Sequence, residues 1–232
     1  MKRTALGTLT KYWFLEGFNL FSKLGMNAMM ELCEELVMHR YSKGARINLD
    51  SGDEQSVYFL KKGSVKIVSS DTEVAKFIAH PGNIFGELGL YQLPGEGEET
   101  AYALEESVVC TFSANQMNEL MAKHPSLKNG VLKIYGFRIK RLERRLQDLL
   151  HKDSGTRIEE FIRYYVTAFG VPVNGRQEAR KLLSHKDIAH LTNTSRQTVN
   201  NVLTGLRREG TIDYNAKVIS ILSPEEKINR HE

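Results

Sequence analysis

"SHKDIAHLTNTSRQTVNNVLTGLRREG", residues 184–210, starts two short helices from serines eleven residues apart. Ser184 with Asp187, and Ser195 with Thr198, place N-caps at 184 and 195. The first helix, about 185–191, buries Ile188 and Leu191. The second, about 196–209, buries Val199, Val202, Leu203 and Leu206, and Gly210 follows its end as the C′ residue. Asn193 stands where a tight turn needs a left-handed residue, and asparagine is the best choice after glycine. Ala189 is small where the helices cross, and Val199 fills the core beyond the turn. Two ordinary packed helices do not require that order; a helix-turn-helix does.

The residues left outside indicate what such a motif could touch. Arg196 and Gln197 lie on the first turn of the second helix, with Asn200 and Asn201 on the next. Arginine pairs with guanine edges, and glutamine or asparagine with adenine. Ser184, His185, Ser195 and Thr198, with the helix N-termini, suit phosphates. After Gly210, "TIDYNAKVISIL" reads as a two-stranded hairpin, the wing of a winged helix.

The rest of the chain is compatible with a nucleic-acid partner. Of a net charge of +4, most falls in the last 81 residues, which hold 13 Lys/Arg against 10 Asp/Glu. No apolar run approaches the roughly 18 residues of a membrane span. The apolar stretch at Tyr12-Trp13-Phe14-Leu15 has no small-residue cleavage site after it, so neither a signal peptide nor a membrane partner is expected. Two cysteines, Cys33 and Cys110, sit among apolar residues and read as buried thiols in a reducing cytoplasm. No Ser-His-Asp order, His-Glu-x-x-His, phosphate loop or paired-carboxylate motif stands out. His185 and His190 are five apart, the wrong spacing for two ligands on one helical face. Neither catalysis nor a metal site is expected.

Residues 40–112 have a different texture, with short β-type runs punctuated by glycine. "YSKGARINLDSGDEQSVYFLKKGSVKIVSS" alternates about Lys61-Lys62-Gly63, a hairpin signal, and "TAYALEESVVCTFS" adds two strands around Glu105-Glu106. Such spacing argues for a sandwich, jelly roll or barrel. Ser113 and Gln116 form a capping-box spacing for a helix that stops before Pro125. A longer helix then runs from Pro125 to about His151. Leu132, Tyr135, Ile139, Leu142, Leu146 and Leu149 recur in steps of three and four, the seam of a two-stranded coil. Its other face is basic, with Lys133, Arg138, Lys140, Arg141, Arg144 and Arg145, and reads as a solvated face. Lys152-Asp153-Ser154-Gly155-Thr156 marks a hinge, and "RIEEFIRYYVTAFG" is a further amphipathic helix ended by Gly170. The resulting division is 1–124, 125–152 and 153–232.

In this order and spacing, "SGDEQSVYFLKKGSVKIVS", "PGNIFGELGLY" and "SHKDIAHLTNTSRQTVNNVLTGLRREGTI" make the chain resemble the Crp/Fnr family of transcription regulators over essentially its whole length. The resemblance implies an α+β chain: an N-terminal cyclic-nucleotide-binding-type β-roll (jelly roll), a long dimerisation helix, and a C-terminal winged helix-turn-helix. It implies a homodimer on a palindromic double-stranded DNA site, a small-molecule effector in the roll, and RNA polymerase as a partner. Gly86 and Glu87 match the family's ribose-binding pair. Glu99 and Thr100 stand where cAMP-binding members carry an Arg-Ser pair, and Leu142 and Glu143 where they carry a Thr-Ser pair. A carboxylate repels a phosphodiester, so cAMP is not the expected signal. The chain lacks the N-terminal cysteine cluster of iron-sulfur members, while haem stays open among seven histidines, His80 of the β-roll included. Arg196 matches a guanine-reading arginine, Gln197 replaces a glutamate, and Asn201 replaces a second arginine.

Overall fold

The computed structural model describes residues 20, 21, 23–51, 54–86 and 99–222. The described chain divides into two compact units between Leu142 and Glu143, inside the long helix.

The first unit is built on two antiparallel sheets. One contains β1 (Val37–Tyr41), β9 (Ser107–Ser113), β4 (Glu54–Lys62) and β3 (Asp50–Ser51) in that order, with β7 (Ile84–Phe85) also paired to β4. The other runs β2 (Arg46–Asn48), β8 (Glu99–Ala103), β5 (Val65–Ser69) and β6 (Ala75–Ala79). Side-chain alternation along β4 explains how both of its faces are used. Tyr58 and Leu60 point between the sheets, into a core with Ile47, Ile67, Phe85, Ala101 and Val109. Val57 and Phe59 point the other way. They meet Cys33 and Leu32 of α1 (Met26–Glu35), Met117 and Leu120 of α2 (Ala114–Lys123), and Leu127 of α3 (Pro125–His151). Cys110 belongs to this second core, so both thiols are buried as their apolar neighbours imply.

The expected hairpin at Lys61-Lys62-Gly63 is not one. β4 and β5 lie in different sheets, and the chain crosses between them at Gly63. The register shifts between Leu60 and Lys62, and Gly63 takes φ +91° against Ser107. Alternating apolar residues around a glycine look alike in a hairpin and at such a corner, because only the strand partners differ. The capping box of α2 is as its spacing predicts: Gln116 N donates to Ser113 Oγ (3.2 Å) and Ser113 N to Gln116 Oε1 (2.9 Å).

In the second unit, α4 (Ser154–Phe169) buries Ile158, Ile162, Tyr165 and Val166. Asp153 caps it, accepting from Thr156 N at 2.8 Å. A four-stranded antiparallel sheet of order β10 (Gly170–Val173), β11 (Arg176–Arg180), β13 (Val218–Ile221) and β12 (Ile212–Tyr214) completes the unit around α5 (His185–Thr192) and α6 (Arg196–Arg208). The 211–222 hairpin is present, pairing Ile212 with Ile221, and "VNGRQEARKLL" supplies β11, its central partner. Among the described residues no helix is long and apolar enough to cross a membrane.

Gly86 ends β7 with φ +73°, and a Cβ there would lie 2.7 Å from the Tyr58 ring and 2.8 Å from Ser56 O. Its neighbours are a core aromatic and backbone, which cannot give way cheaply. Gly86→Ala should therefore lower unfolding stability by about 2–3 kcal/mol in urea titrations. An unchanged midpoint would show that this corner tolerates a side chain.

Candidate nucleic-acid interface

The two helices α5 and α6 owe their turn to Asn193, which adopts φ 51° and ψ 57°. Its N–H bonds back to the carbonyls of Ala189 and His190, and Thr194 N reaches Ala189 O at 2.9 Å. Ser184 forms the full capping box with Asp187, accepting from its N–H and donating to its carboxylate (2.7 Å). Ile188, Ala189 and Thr192 are buried, while Leu191 is only half-buried. On α6, Val199, Leu203 and Leu206 are buried and Val202 is half-buried, so one apolar stripe carries the packing. Gly210, at φ 65°, closes the helix: its N–H reaches Arg207 O (3.1 Å) and that of Thr211 reaches Leu206 O (2.8 Å).

Two arginines that sequence reasoning did not single out for this motif complete it. Arg157 of α4 donates to Thr192 O (3.1 Å) and Asn193 O (3.3 Å), and also to Lys152 O (2.6 Å). Arg145, near the end of α3, donates to His190 O at 2.9 Å. Carbonyls at the C-terminus of α5 have no intrahelical donor, and cations there also match the helix dipole. Arg145 is thus half-buried and engaged, in place of the solvated position its basic run implied. The Lys152–Thr156 break is likewise pinned: Lys152 Nζ meets Asp148 (2.7 Å) and Glu160 (2.5 Å).

The outward face of the motif gathers most of the residues singled out for DNA. Arg196, Gln197, Asn200 and Asn201 are exposed, and the first three join His185 around an open depression of about 470 Å³. Gln197 Nε2 donates to Asn201 Oδ1 (3.0 Å), an i,i+4 pair that orients both amides. Ser195 Oγ accepts from Thr198 N (3.0 Å), and the two hydroxyls lie 2.8 Å apart. Beside them, Tyr214 of β12 is flanked by Lys181 (4.8 Å) and Arg207 (5.1 Å), and Arg207 also bonds Asp213 (3.2 Å). These contacts tie the wing to α6.

The described residues matched to the family's effector pocket lie just after β7, on β8 and on α3. Gly86 is buried at the end of β7, and Glu87 lies outside the described residues. Thr100 follows Glu99 in β8 and so faces the other way, where its hydroxyl meets Ser70 (2.9 Å) and Arg46 (3.3 Å). Leu142 and Glu143 are exposed. Glu99 is buried; its Oε1 lies 3.1 Å from Lys76 Nζ and 3.9 Å from Arg138, whose guanidinium covers the Phe77 ring at 4.9 Å. Arg138, like Arg145, is engaged rather than solvated. Among the described residues no cluster of three or more His, Cys, Asp or Glu could hold a metal.

Along α3, Leu132, Ile139, Leu142 and Leu146 are between 53% and 62% exposed. Tyr135 packs in part on the first unit's helical core and Leu149 is half-buried, while Phe137 and Leu150 are each 70% exposed.

Two family models match: the cyclic nucleotide-binding domain over residues 38–124 and the Crp-like helix-turn-helix domain over residues 140–226. The global nitrogen regulator of Synechococcus elongatus is 28% identical over 211 residues, 88% of this chain and 92% of that one. The CRP-like cAMP-activated global transcriptional regulator of Mycobacterium tuberculosis is 23% identical over 91% of this chain and 95% of its own. Among solved structures, FixK2 from Bradyrhizobium japonicum has the same fold, with a TM-score of 0.66 at 18% identity over 84% of this chain and 96% of that one.

Burial, followed by the charges of Lys181 and Arg196, holds His185 below the ordinary histidine value of 6.5. The unfolded chain then binds this proton more readily than the folded one. The folded state loses stability as pH falls from 6.5 through the depressed value, and above 6.5 the penalty is absent. Urea unfolding at a series of pH values should show a steeper acid loss for the wild type than for His185→Gln. Parallel curves would show that His185 titrates as in the unfolded chain.

Proposed function

The chain belongs to the Crp/Fnr family of transcriptional regulators, and from that premise we propose that it binds a palindromic promoter site as a homodimer under the control of a signal other than cAMP. The observation that carries this reading is the exposed face of α6, where Arg196, Gln197, Asn200 and Asn201 stand on a helix whose cap and turn are fully bonded. The family is regulatory rather than catalytic, and its helix-turn-helix domain binds DNA.

On this reading Ser195, Thr198, Ser184 and His185 meet phosphates and fix the register, and the α6 side chains read bases. Arg196 takes a guanine through O6 and N7. Gln197, which both donates and accepts, matches adenine's N6 and N7. With Asn201 in place of a second arginine and bonded to Gln197, one fixed G:C pair per half-site is flanked by A·T-rich sequence. The exposed leucines and isoleucine of α3 pair with those of a second copy, setting the two α6 helices about one DNA turn, roughly 34 Å, apart. RNA polymerase is the further partner that such a promoter-bound dimer would meet.

The signal is a separate matter. One relative is named as cAMP-activated and another as a nitrogen regulator, so membership does not set it. Support for excluding cAMP comes from Glu99, a buried carboxylate that already engages Lys76 and Arg138 and would repel a phosphodiester where cAMP-binding members carry an arginine.

Selection from random DNA should return an inverted repeat with one invariant G:C pair per half-site. Arg196→Ala should cost roughly 1–3 kcal/mol per half-site and relax that pair alone; equal losses on all sequences would assign Arg196 to the backbone. Leu142→Asp and Leu146→Asp should each sediment as monomer, because a charge in an apolar seam lacks a partner. A dimer that survives both substitutions would place the interface elsewhere.

A further inference from the structure

We propose that the inward end of β8 binds a small zwitterion of the amino-acid type, its ammonium on Glu99 and its carboxylate on Arg138 and Lys76. The inference rests on the reading of this domain as an effector-binding sensor and names the class of effector.

Glu99 opens β8 on the same face as Ala101, which lies in the core between the sheets, and Ala103. Its side chain is 6% exposed. Oε1 faces both cations, but Oε2 is buried with no hydrogen-bond partner among the described residues. A buried carboxylate oxygen without a donor is unfavourable, and native structures rarely leave one so. The group that satisfies it must bring an N–H or O–H to Oε2.

The surrounding charges narrow the class. An anion alone, phosphodiester included, would approach Glu99 against its charge. A cation alone would stand close to Lys76 and Arg138. A molecule with both charges, ammonium towards Oε2 and carboxylate towards the cations, meets neither objection. Arginine and lysine have five and three N–H donors, more than a single carboxylate oxygen can take up. Arg138 stands over Phe77, its guanidinium carbon 4.9 Å from the ring centroid, and its fork suits a carboxylate held side-on. Because Arg138 stands on α3, such a ligand would touch the helix that also carries the exposed seam.

Titration calorimetry on the full-length protein tests this with the standard amino acids as probes, each compared with its deaminated keto acid and its decarboxylated amine, and with cAMP. At least one amino acid should bind saturably, and loss of either charged group should weaken it by about tenfold or more. Glu99→Gln should weaken it by a similar factor, while Thr100→Ala, on the opposite face of β8, should not. Should Glu99→Gln fail to fold, the comparison of the three ligand series on the wild type still decides. Absence of saturable heat for every amino acid up to about 10 mM, or equal binding by a keto acid or cAMP, would overturn the proposal. Gel shifts on the same preparation separate the two readings. A protein that shifts its DNA site but binds no amino acid contradicts only this inference, and one that binds an amino acid but no DNA contradicts only the function proposed above.

Discussion

The carbonyls at the end of α5 are the constraint on which the second unit depends. An eight-residue helix leaves half of its carbonyls without an internal donor, and here the chain must also reverse within a few residues to start α6. A left-handed Asn193 satisfies the turn from within. Arg157 and Arg145 satisfy His190, Thr192 and Asn193 from α4 and α3. Arg157 also holds Lys152 O, so one guanidinium joins the end of α3, the start of α4 and the end of α5. The exposed face of α6, which we propose reads bases, is presented by a scaffold whose turn carbonyls are already paired, as a base-reading surface would require.

The same helix supplies the polar centre of the first unit. Arg138 and Arg145 are one heptad apart on α3, about 10 Å along its axis. Each is engaged within its own unit, Arg138 with Glu99 and Phe77, Arg145 with His190 O. Neither serves as a solubilising charge, although the remainder of the basic run, Lys133, Lys140, Arg141 and Arg144, is exposed. A ligand acts on such an arrangement only through a difference in affinity between two states. Glu99 is the group through which that difference would arise, since it alone in the described cluster has an unsatisfied oxygen.

Much of this was legible in the chain because it is local. Ser113, Ser184, Ser195, Asn193 and Gly210 act within a few residues of themselves, so their spacing identifies caps and turns. The exposed quartet of α6 follows from the same periodicity. Three features were not legible. Gly63 marks a corner between sheets, and a period of two is the same whichever strand lies alongside. Arg145 and Arg157 act on carbonyls 45 and 35 residues away, and nothing in a basic helix face says which of its members will be captured. Glu99 and Thr100, neighbours on one strand, point to opposite faces, as the period of two already implies. The ion-pair partners of Glu99, Lys76 and Arg138, come from other elements.

The central claim is that the α6 face reads sequence because the end of α5 is clamped. Arg145→Gln and Arg157→Gln touch neither a base-reading side chain nor the α6 cap. Fluorescence anisotropy of each variant on the selected site and on scrambled DNA, at fixed salt, measures the specificity ratio directly. The account predicts that this ratio falls by about tenfold or more for each variant, while the salt-dependent binding to scrambled DNA persists. A ratio equal to that of the wild type in both variants would show that the turn holds without the clamp and would contradict the account.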